Sequence, residues 1–256
     1  MGLKNSPNAP AKTASNPFAS TPFASNLFFL SLPLCPSPFS SLCPFPMQNT
    51  PWNQPIRVAL FGTSADPPHA GHQSILNWLS QEFDQVAVWA AENPYKPKQS
   101  PLSDRAEMLR LLTHTLPASD KVNVYQSLSD RYSIHSIARA RKIWPNGKFS
   151  LVVGADLVGQ LPKWYRAKEI FEQVDILVFP RPGYSIQGPA LAALQQQAHV
   201  TIAHPPHQYN IASSRYRTTE CNQVPDDLPP VIRDYITERH LYPCLHTPQV
   251  QISTPR

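Results

Sequence analysis

From Arg57 onward, short β-branched runs alternate with amphipathic segments, and this alternation constrains the fold more than any other feature of the chain. Strands are predicted at 57–61, 85–91, 121–127, 148–156, 175–180 and 199–204. Each is followed by a segment with helical periodicity, at 73–83, 103–116, 132–144, 164–173, 189–198 and 229–240. Strands that alternate with helices form right-handed βαβ units in a parallel sheet. The sequence therefore predicts an α/β fold, a single Rossmann-like domain with a doubly wound parallel sheet and flanking helices.

The segment before this pattern has the composition of a chain without a fixed fold. Residues 1–46 contain many prolines, no acidic residue and no sustained periodicity, and such a segment forms neither helices nor central strands. We expect 1–55 to be a disordered leader, 56–243 the folded domain and 244–256 a disordered tail. Two other interpretations stay open: a targeting peptide, whose apolar run Pro33 interrupts after about six residues, and a true start at Met47.

Charge and cysteine content argue against several classes of function. The net charge of +5 includes Lys4 and Lys12 of the leader, and no basic block of the kind found in nucleic-acid-binding arms is present. No stretch approaches the ~20 apolar residues of a membrane span. The 4 cysteines form neither a CxxC zinc pattern nor a dense disulfide framework. We expect a cytoplasmic protein that binds neither nucleic acid nor membranes.

The turn after the first strand, "GTSADPPHAGH" (62–72), carries two histidines at the edge where parallel sheets bind ligands. No GxGxxG follows a predicted strand, and no GxxxxGK[ST] loop is present. Gly62 would let a ligand approach the backbone, and Gly71 leaves room at the helix start. His69 and His72 would then donate hydrogen bonds beside the helix amides, which suits phosphate oxygens. Solvent-facing or helix-capping histidines are the simpler interpretation, and a metal pair lacks a third ligand nearby.

Two motifs together resemble a known superfamily. "GTSADPPHAGH" resembles the (H/T)xGH signature of the adenylyltransferase and cytidylyltransferase superfamily, and "IASSRYR" (211–217) resembles its ISSTxxR phosphate motif. Within it, "NPYKPKQSPLSDRAEML", "DRYSIHSI", "GADLVGQLPKWYRAKEIF" and "LPPVIRDYITERHLY" are similar to segments of the bacterial nicotinate-nucleotide adenylyltransferase family. The resemblance covers about residues 57–242. It departs from the family pattern at Thr63, Ala65, Ser133, Ala212 and Ser214, and none of these departures removes a charged or imidazole group.

The resemblance implies adenylyl transfer from ATP to nicotinate mononucleotide, which gives deamido-NAD and pyrophosphate. Mg²⁺ would arrive with ATP and have no dedicated protein site. The catalytic residues would be His69, His72 and Arg217. The residues that bind ATP and its phosphates would be Gly62, Thr63, Gly71, Lys96, Gly154, Asp156, Ser213 and Ser214. Ser133, Trp164 and Tyr165 would bind the acceptor, with Trp164 stacked on the pyridine ring unless it is an ordinary core residue.

Two other functions remain open at this point. Phosphopantetheine adenylyltransferase shares both phosphate motifs, although "GADL" followed by "KWY" favours the nicotinate family. A non-catalytic nucleotide sensor on the same fold is a second alternative, which the presence of His72 and Arg217 disfavours. The sequence leaves open whether the protein forms a homo-oligomer and whether it prefers the acid or the amide of the mononucleotide.

Overall fold

The computed structural model describes residues 54–92, 99–183, 188–207, 211–217 and 227–242. All of them lie in one compact unit, Thr50–Arg256. Residues 1–53 of the predicted leader, the predicted tail, Lys96 and all four cysteines lie outside the described residues. The strands are β1 (Arg57–Thr63), β2 (Gln85–Ala90), β3 (Val122–Val124), β4 (Lys148–Gly154), β5 (Asp175–Phe179) and β6 (Val200–Ile202). The helices are α1 (Ala70–Glu82), α2 (Leu102–His114), α3 (Ser133–Ile143), α4 (Ala167–Gln173), α5 (Pro189–Gln195) and α6 (Pro230–Glu238).

The strands form one parallel sheet in the order β3-β2-β1-β4-β5-β6. The chain runs outward from β1 to β3, then returns to place β4 on the other side of β1, so the strand order reverses between β1 and β4. Leu60 of β1 is aligned with Leu151 of β4, and three residues further along the strands end at Thr63 and Gly154. The predicted doubly wound sheet is confirmed, and ligands bind such sheets at this reversal.

Both faces of the sheet are buried, as the continuously apolar strands predict. On β1, Ala59 and Phe61 belong to a core that includes side chains of α1, α2 and α6. Val58 and Leu60 face the other way and belong to a second core with side chains of α3, α4 and α5. Three helices thus cover each face. Within the described part of the chain, no helix is long and apolar enough to cross a membrane.

Helix starts differ from the sequence prediction at α1, which begins at Ala70 rather than at 73, and at α2 and α4. The segment 103–116 was expected to be helical, and α2 begins one residue earlier, at Leu102, after Pro101, which makes no side-chain capping bond. The segment 164–173 was expected to be helical throughout. Arg166, however, adopts a left-handed conformation with φ of 56°, which cannot continue a right-handed helix. Trp164 and Tyr165 therefore lie in a loop between a 3₁₀ helix, Leu161–Lys163, and α4.

Candidate active site

The two histidines of the turn after β1 form the start of α1. His69 is the N-cap residue, and its Nδ1 accepts a hydrogen bond from Gly71 N at 3.1 Å. His72 Nδ1 accepts from His69 N at 3.3 Å. Because both Nδ1 atoms act as acceptors, each neutral ring carries its proton on Nε2. The histidines therefore cap the helix, as the simpler interpretation has it, and each still has an Nε2–H donor.

Thr63 orients the second histidine. Its Oγ1 lies 3.0 Å from His72 Nε2, and since that nitrogen carries the proton, the imidazole donates to the hydroxyl. The rings of His69 and His72 are 4.1 Å apart between centroids. The pair therefore forms one compact unit beside the amide groups of the first turn of α1. The positive end of the helix dipole lies at the same place, and it favours anions.

His69 is electrically neutral near pH 7. It is 6 % exposed, and burial lowers its pKa from 6.5 to about 4, with Arg181 adding to the effect and Asp227 opposing it. Tyr216 stacks on the ring with 6.4 Å between centroids and donates its hydroxyl hydrogen to the Asp227 carboxylate. These contacts close the interior side of the imidazole and fix the direction in which it can donate.

The second motif meets the first at this turn. A 3₁₀ helix, Ser213–Arg217, lies against the chain between β1 and α1. Ser213 Oγ donates to Pro67 O at 3.0 Å, and Arg217 Nη1 donates to Asp66 O at 2.6 Å. Ser214 is exposed. The structure therefore brings together His69, His72, Arg217 and Ser213, although about 150 residues separate the two motifs.

At the end of β4, a glycine makes room for an aspartate. A Cβ atom at Gly154 would overlap Asp156 Oδ1, so only glycine leaves this carboxylate where it is. Asp156 Oδ2 accepts from Arg181 Nη1 at 3.2 Å. Since β4 is next to β1 and Arg181 influences the pKa of His69, this carboxylate and its partner belong to the same edge of the sheet.

Gly62 has a packing role that the sequence did not indicate. A Cβ atom there would lie 2.8 Å from two ring carbons of Trp89, a buried residue of the neighbouring strand. No real Cβ atom approaches a ring so closely, so the tryptophan must move for any other residue to fit. The glycine is therefore explained by strand packing, whether or not a ligand also approaches it.

The predicted acceptor residues lie around the starts of α3 and α4. Tyr165 is 53 % exposed, and its ring is 4.6 Å from that of Tyr132, between centroids. Ser133 follows Tyr132 as the first residue of α3. Trp164 is half-buried and packs against the core under α3, α4 and α5. The structure thus groups Ser133, Trp164 and Tyr165 at an aromatic surface, with the tryptophan partly in the core.

No resident metal site is formed by the residues that the structure describes. Among them, no group of three or more His, Cys, Asp or Glu side chains could hold a metal ion. Asp66, the fully buried carboxylate nearest the two motifs, is engaged with Tyr242, Ser100 and Arg217. The described residues therefore offer no complete donor set for an ion that is bound by the protein alone.

Comparison with known proteins identifies the family. Residues 60–219 match the Cytidylyltransferase-like family model. A probable nicotinate-nucleotide adenylyltransferase of Synechocystis sp. is 42% identical over 207 residues, an alignment that covers 73% of this chain and 99% of that protein. This chain belongs to the nicotinate-nucleotide adenylyltransferase family. The nicotinate-nucleotide adenylyltransferase of Bacillus subtilis is 25% identical over 195 residues, which cover 73% of this chain and 98% of that one.

A solved structure supports the fold of this nicotinate-nucleotide adenylyltransferase family member. Plasmodium falciparum nicotinic acid mononucleotide adenylyltransferase complexed with NaAD aligns with a TM-score of 0.63 at 17% identity, over 73% of this chain and 98% of that one. At this identity, the alignment concerns architecture alone. It supports the α/β architecture described above.

Three buried residues of this family member were missed by the sequence analysis: Asp66, Arg105 and Tyr242. Asp66 accepts a hydrogen bond from the Tyr242 hydroxyl at 2.5 Å. Arg105 Nη1 donates to Ser64 O at 2.9 Å and to Ala91 O at 2.8 Å, so it ties the exit of β1 to that of β2. Burial lowers the pKa of Arg105. These residues lie in segments that resemble the family, but their pairing joins positions far apart in the chain.

Proposed function

We propose that this chain acts in the cytoplasm and transfers the adenylyl group of ATP to nicotinate mononucleotide, giving deamido-NAD and pyrophosphate. One observation carries the proposal: the histidine pair at the start of α1 and the Ser213–Arg217 turn meet at the carboxyl edge of β1. Together they offer two imidazole donors, a guanidinium and a helix N-terminus, a set that suits a triphosphate. The similarity to nicotinate-nucleotide adenylyltransferases supports this acceptor over phosphopantetheine and over a sensor role.

In the proposed reaction, a phosphate oxygen of the mononucleotide attacks the α-phosphorus of ATP. A new P–O bond forms, the bond between the α-phosphorus and the bridging oxygen breaks, and pyrophosphate leaves with the electron pair. No protein nucleophile is required, so catalysis depends on alignment and on stabilising charge at the phosphoryl oxygens. His69 would donate from Nε2, and His72 would do so by exchanging its bond to the Thr63 hydroxyl for one to a phosphoryl oxygen. Arg217 would neutralise charge on the leaving group.

Capping bonds prepare the imidazoles for this role. Each Nδ1 accepts a backbone N–H, so each ring is held with Nε2 as its donor before the substrate arrives. The pKa of His69, lowered by burial to about 4, keeps that ring neutral at pH 7, where it donates a hydrogen bond without giving up a proton. Donors that are already oriented cost no reorganisation during the reaction, which is the basis of electrostatic catalysis.

Mg²⁺ is proposed to enter with the nucleotide. The described residues form no carboxylate cluster that could hold a resident ion. ATP carries Mg²⁺ on its phosphates, as enzymes of phosphoryl transfer commonly require, and the ion neutralises part of the triphosphate charge. None of the roles proposed here for His69, His72 or Arg217 depends on a protein ligand to the metal.

A pyrophosphate-release assay tests the proposal. The full chain is given Mg²⁺-ATP with nicotinate mononucleotide, with its amide or with phosphopantetheine, in parallel reactions. We expect turnover with nicotinate mononucleotide and none with phosphopantetheine. ATP binding without pyrophosphate release in any of the three reactions would instead support the sensor, and turnover with phosphopantetheine alone would reject the nicotinate assignment.

A further inference from the structure

The Asp66 carboxylate lies between Tyr242, which follows α6, and Arg217, which is proposed to bind phosphate. The residue is 0 % exposed, and its two oxygens face different partners. Oδ1 accepts from the Tyr242 hydroxyl at 2.5 Å, whereas Oδ2 lies 3.6 Å from Arg217 Nη1. Ser100 N also donates to both oxygens, at 3.4 Å to Oδ1 and at 3.3 Å to Oδ2. A buried charge is stable only where it is paired and hydrogen-bonded, so each of these partners constrains the carboxylate.

The chain bends sharply to bring Tyr242 to this carboxylate. After α6, Leu241 N donates to Ile236 O at 3.0 Å, and His240 has φ of 52°, which is the geometry of a Schellman turn with histidine where glycine is usual. Tyr242 itself has φ of 58°. Left-handed conformations are unfavourable for both side chains and persist where other contacts hold them, often at functional sites. The hydroxyl bond to Asp66 is such a contact.

We propose that Tyr242 is a positioning residue, whose hydroxyl holds the Asp66 carboxylate in the orientation that sets Arg217 against the phosphates of ATP. The inference rests on the phosphate-binding role proposed above for Arg217. Arg217 Nη1 also donates to Asp66 O at 2.6 Å, so the backbone and the side chain of one residue both position the guanidinium. Burial, together with the charge of Asp66, raises the pKa of Tyr242, so the hydroxyl remains a donor across the neutral range.

Loss of the Tyr242 hydroxyl would change how the Asp66 carboxylate is oriented relative to the Arg217 guanidinium. Without the Tyr242 bond, Asp66 keeps only Ser100 N as a donor to Oδ1, so the carboxylate can turn towards the guanidinium and form a tighter ion pair with Arg217. The side chain of Arg217 is 26% exposed, so it faces solvent in part, and a closer pair would draw it away from a bound triphosphate. Guanidinium contacts to phosphate depend on orientation, and a displacement of about 1 Å costs on the order of 10²-fold in rate in severe cases.

The test compares two tyrosine variants. Tyr242→Phe removes the hydroxyl and keeps the ring. Its matched control is Tyr235→Phe, because the Tyr235 hydroxyl donates at 2.8 Å to another buried carboxylate, that of Asp104, whose described partners do not include Arg217. We expect kcat/KM for ATP to fall about tenfold in Tyr242→Phe, with the KM for nicotinate mononucleotide unchanged. Tyr235→Phe should keep wild-type kinetics, with a comparable decrease in Tm.

A double-mutant cycle with Arg217→Lys separates positioning from stability. All proteins are assayed at a temperature where circular dichroism shows them folded, and Mg²⁺-ATP binding is also measured by calorimetry, without the acceptor. If Tyr242 acts through Arg217, Tyr242→Phe should have little further effect on ATP binding in the Arg217→Lys background. Additive effects, or wild-type ATP binding in Tyr242→Phe, would overturn the proposal. Failure of the proposed function would appear differently, as no turnover by the wild type with nicotinate mononucleotide.

Discussion

At the scale of single residues, the site depends on side chains in which one polar atom makes a structural hydrogen bond and a second polar atom faces the site. His69 caps α1 through Nδ1 and keeps Nε2 for a ligand, and Asp66 gives one oxygen to Tyr242 and faces Arg217 with the other. Such residues cannot be classed as structural or functional alone. A substitution must therefore be judged by both stability and kinetics.

Replacing His72 with alanine should reduce turnover far more than stability. The ring is half-buried and outside the apolar cores, so we expect loss of one Nε2–H donor to lower kcat by about 10²–10³-fold. The unfolding free energy should fall by only about 1–2 kcal/mol, through the lost bonds to His69 N and to Thr63 Oγ1. His199→Ala is the control, because His199 is exposed and pairs with Asp175 at the opposite edge of the sheet. Near-wild-type turnover in a folded His72→Ala protein would remove His72 from the mechanism.

His69 makes stability depend on pH in a direction that follows from its burial. Its folded pKa of about 4 lies below the 6.5 of the unfolded chain. The contribution of His69 to the free energy of unfolding is therefore fully present above about pH 6.5. It is lost as the pH falls towards 4, because the unfolded chain binds a proton on this imidazole that the folded chain does not bind. From pH 7 to pH 4.5, the free energy of unfolding measured with urea should fall by about 2 kcal/mol more in the wild type than in His69→Asn, whose side chain can still cap the helix. Equal losses in both proteins would contradict the assignment.

At the scale of elements, the sequence located the strands well and their surroundings less well. Each predicted strand is present. The inner strands β1, β2, β4 and β5 are largely buried and apolar, whereas the edge strands β3 and β6 each alternate two apolar residues with an exposed polar one. The prediction for β3 was too long: it ends at Val124, and Gln126 instead turns its amide to the backbone of Ala90. Similarly, the histidine pair was visible in the spacing, whereas Asp66 and Tyr242 are 176 residues apart, and no local pattern reveals such a pair. Short-range periodicity encodes the elements, and long-range polar contacts complete the site.

The loop before α4 should bind the acceptor through Trp164. If the indole stacks on the pyridine ring, Trp164→Ala should raise the KM for nicotinate mononucleotide by roughly 5- to 150-fold, from ~1–3 kcal/mol of stacking, and leave the KM for ATP nearly unchanged. Because the ring is only half-buried, the stability loss should stay below the ~3–5 kcal/mol of a core tryptophan. Trp144→Ala is the matched control, since Trp144 is half-buried against the same core and contacts Tyr125 and Phe149. An unchanged acceptor KM in a folded Trp164→Ala protein would place the tryptophan in the core alone.

At the scale of the whole molecule, the reversal of strand order assembles the site from distant parts of the chain. The turn after β1, the end of β4 and the 213–217 segment after β6 converge because β1 and β4 are neighbours. Arg105 and Tyr242 then tie further segments to the same turn. The proposed site is therefore assembled from segments that span the described domain from β1 to Tyr242.

A chain that starts at Met47 should match the full chain in Tm and in turnover. The buried core residues that the structure describes begin at Val58 and end at Tyr242, so this truncation leaves both cores and every proposed site residue in place. A shorter chain whose initiator methionine directly precedes Ala59, and so takes the place of Val58, is the control. It lacks Arg57, whose backbone N donates to Asp84 Oδ2 at 2.8 Å and whose carbonyl accepts from Asp84 N at 3.1 Å, and it should melt at a lower temperature. For a domain of this size, 1 kcal/mol shifts Tm by roughly 2–4 °C, which calorimetry resolves. A decrease of several degrees in the Met47 chain itself would show that the leader packs on the domain.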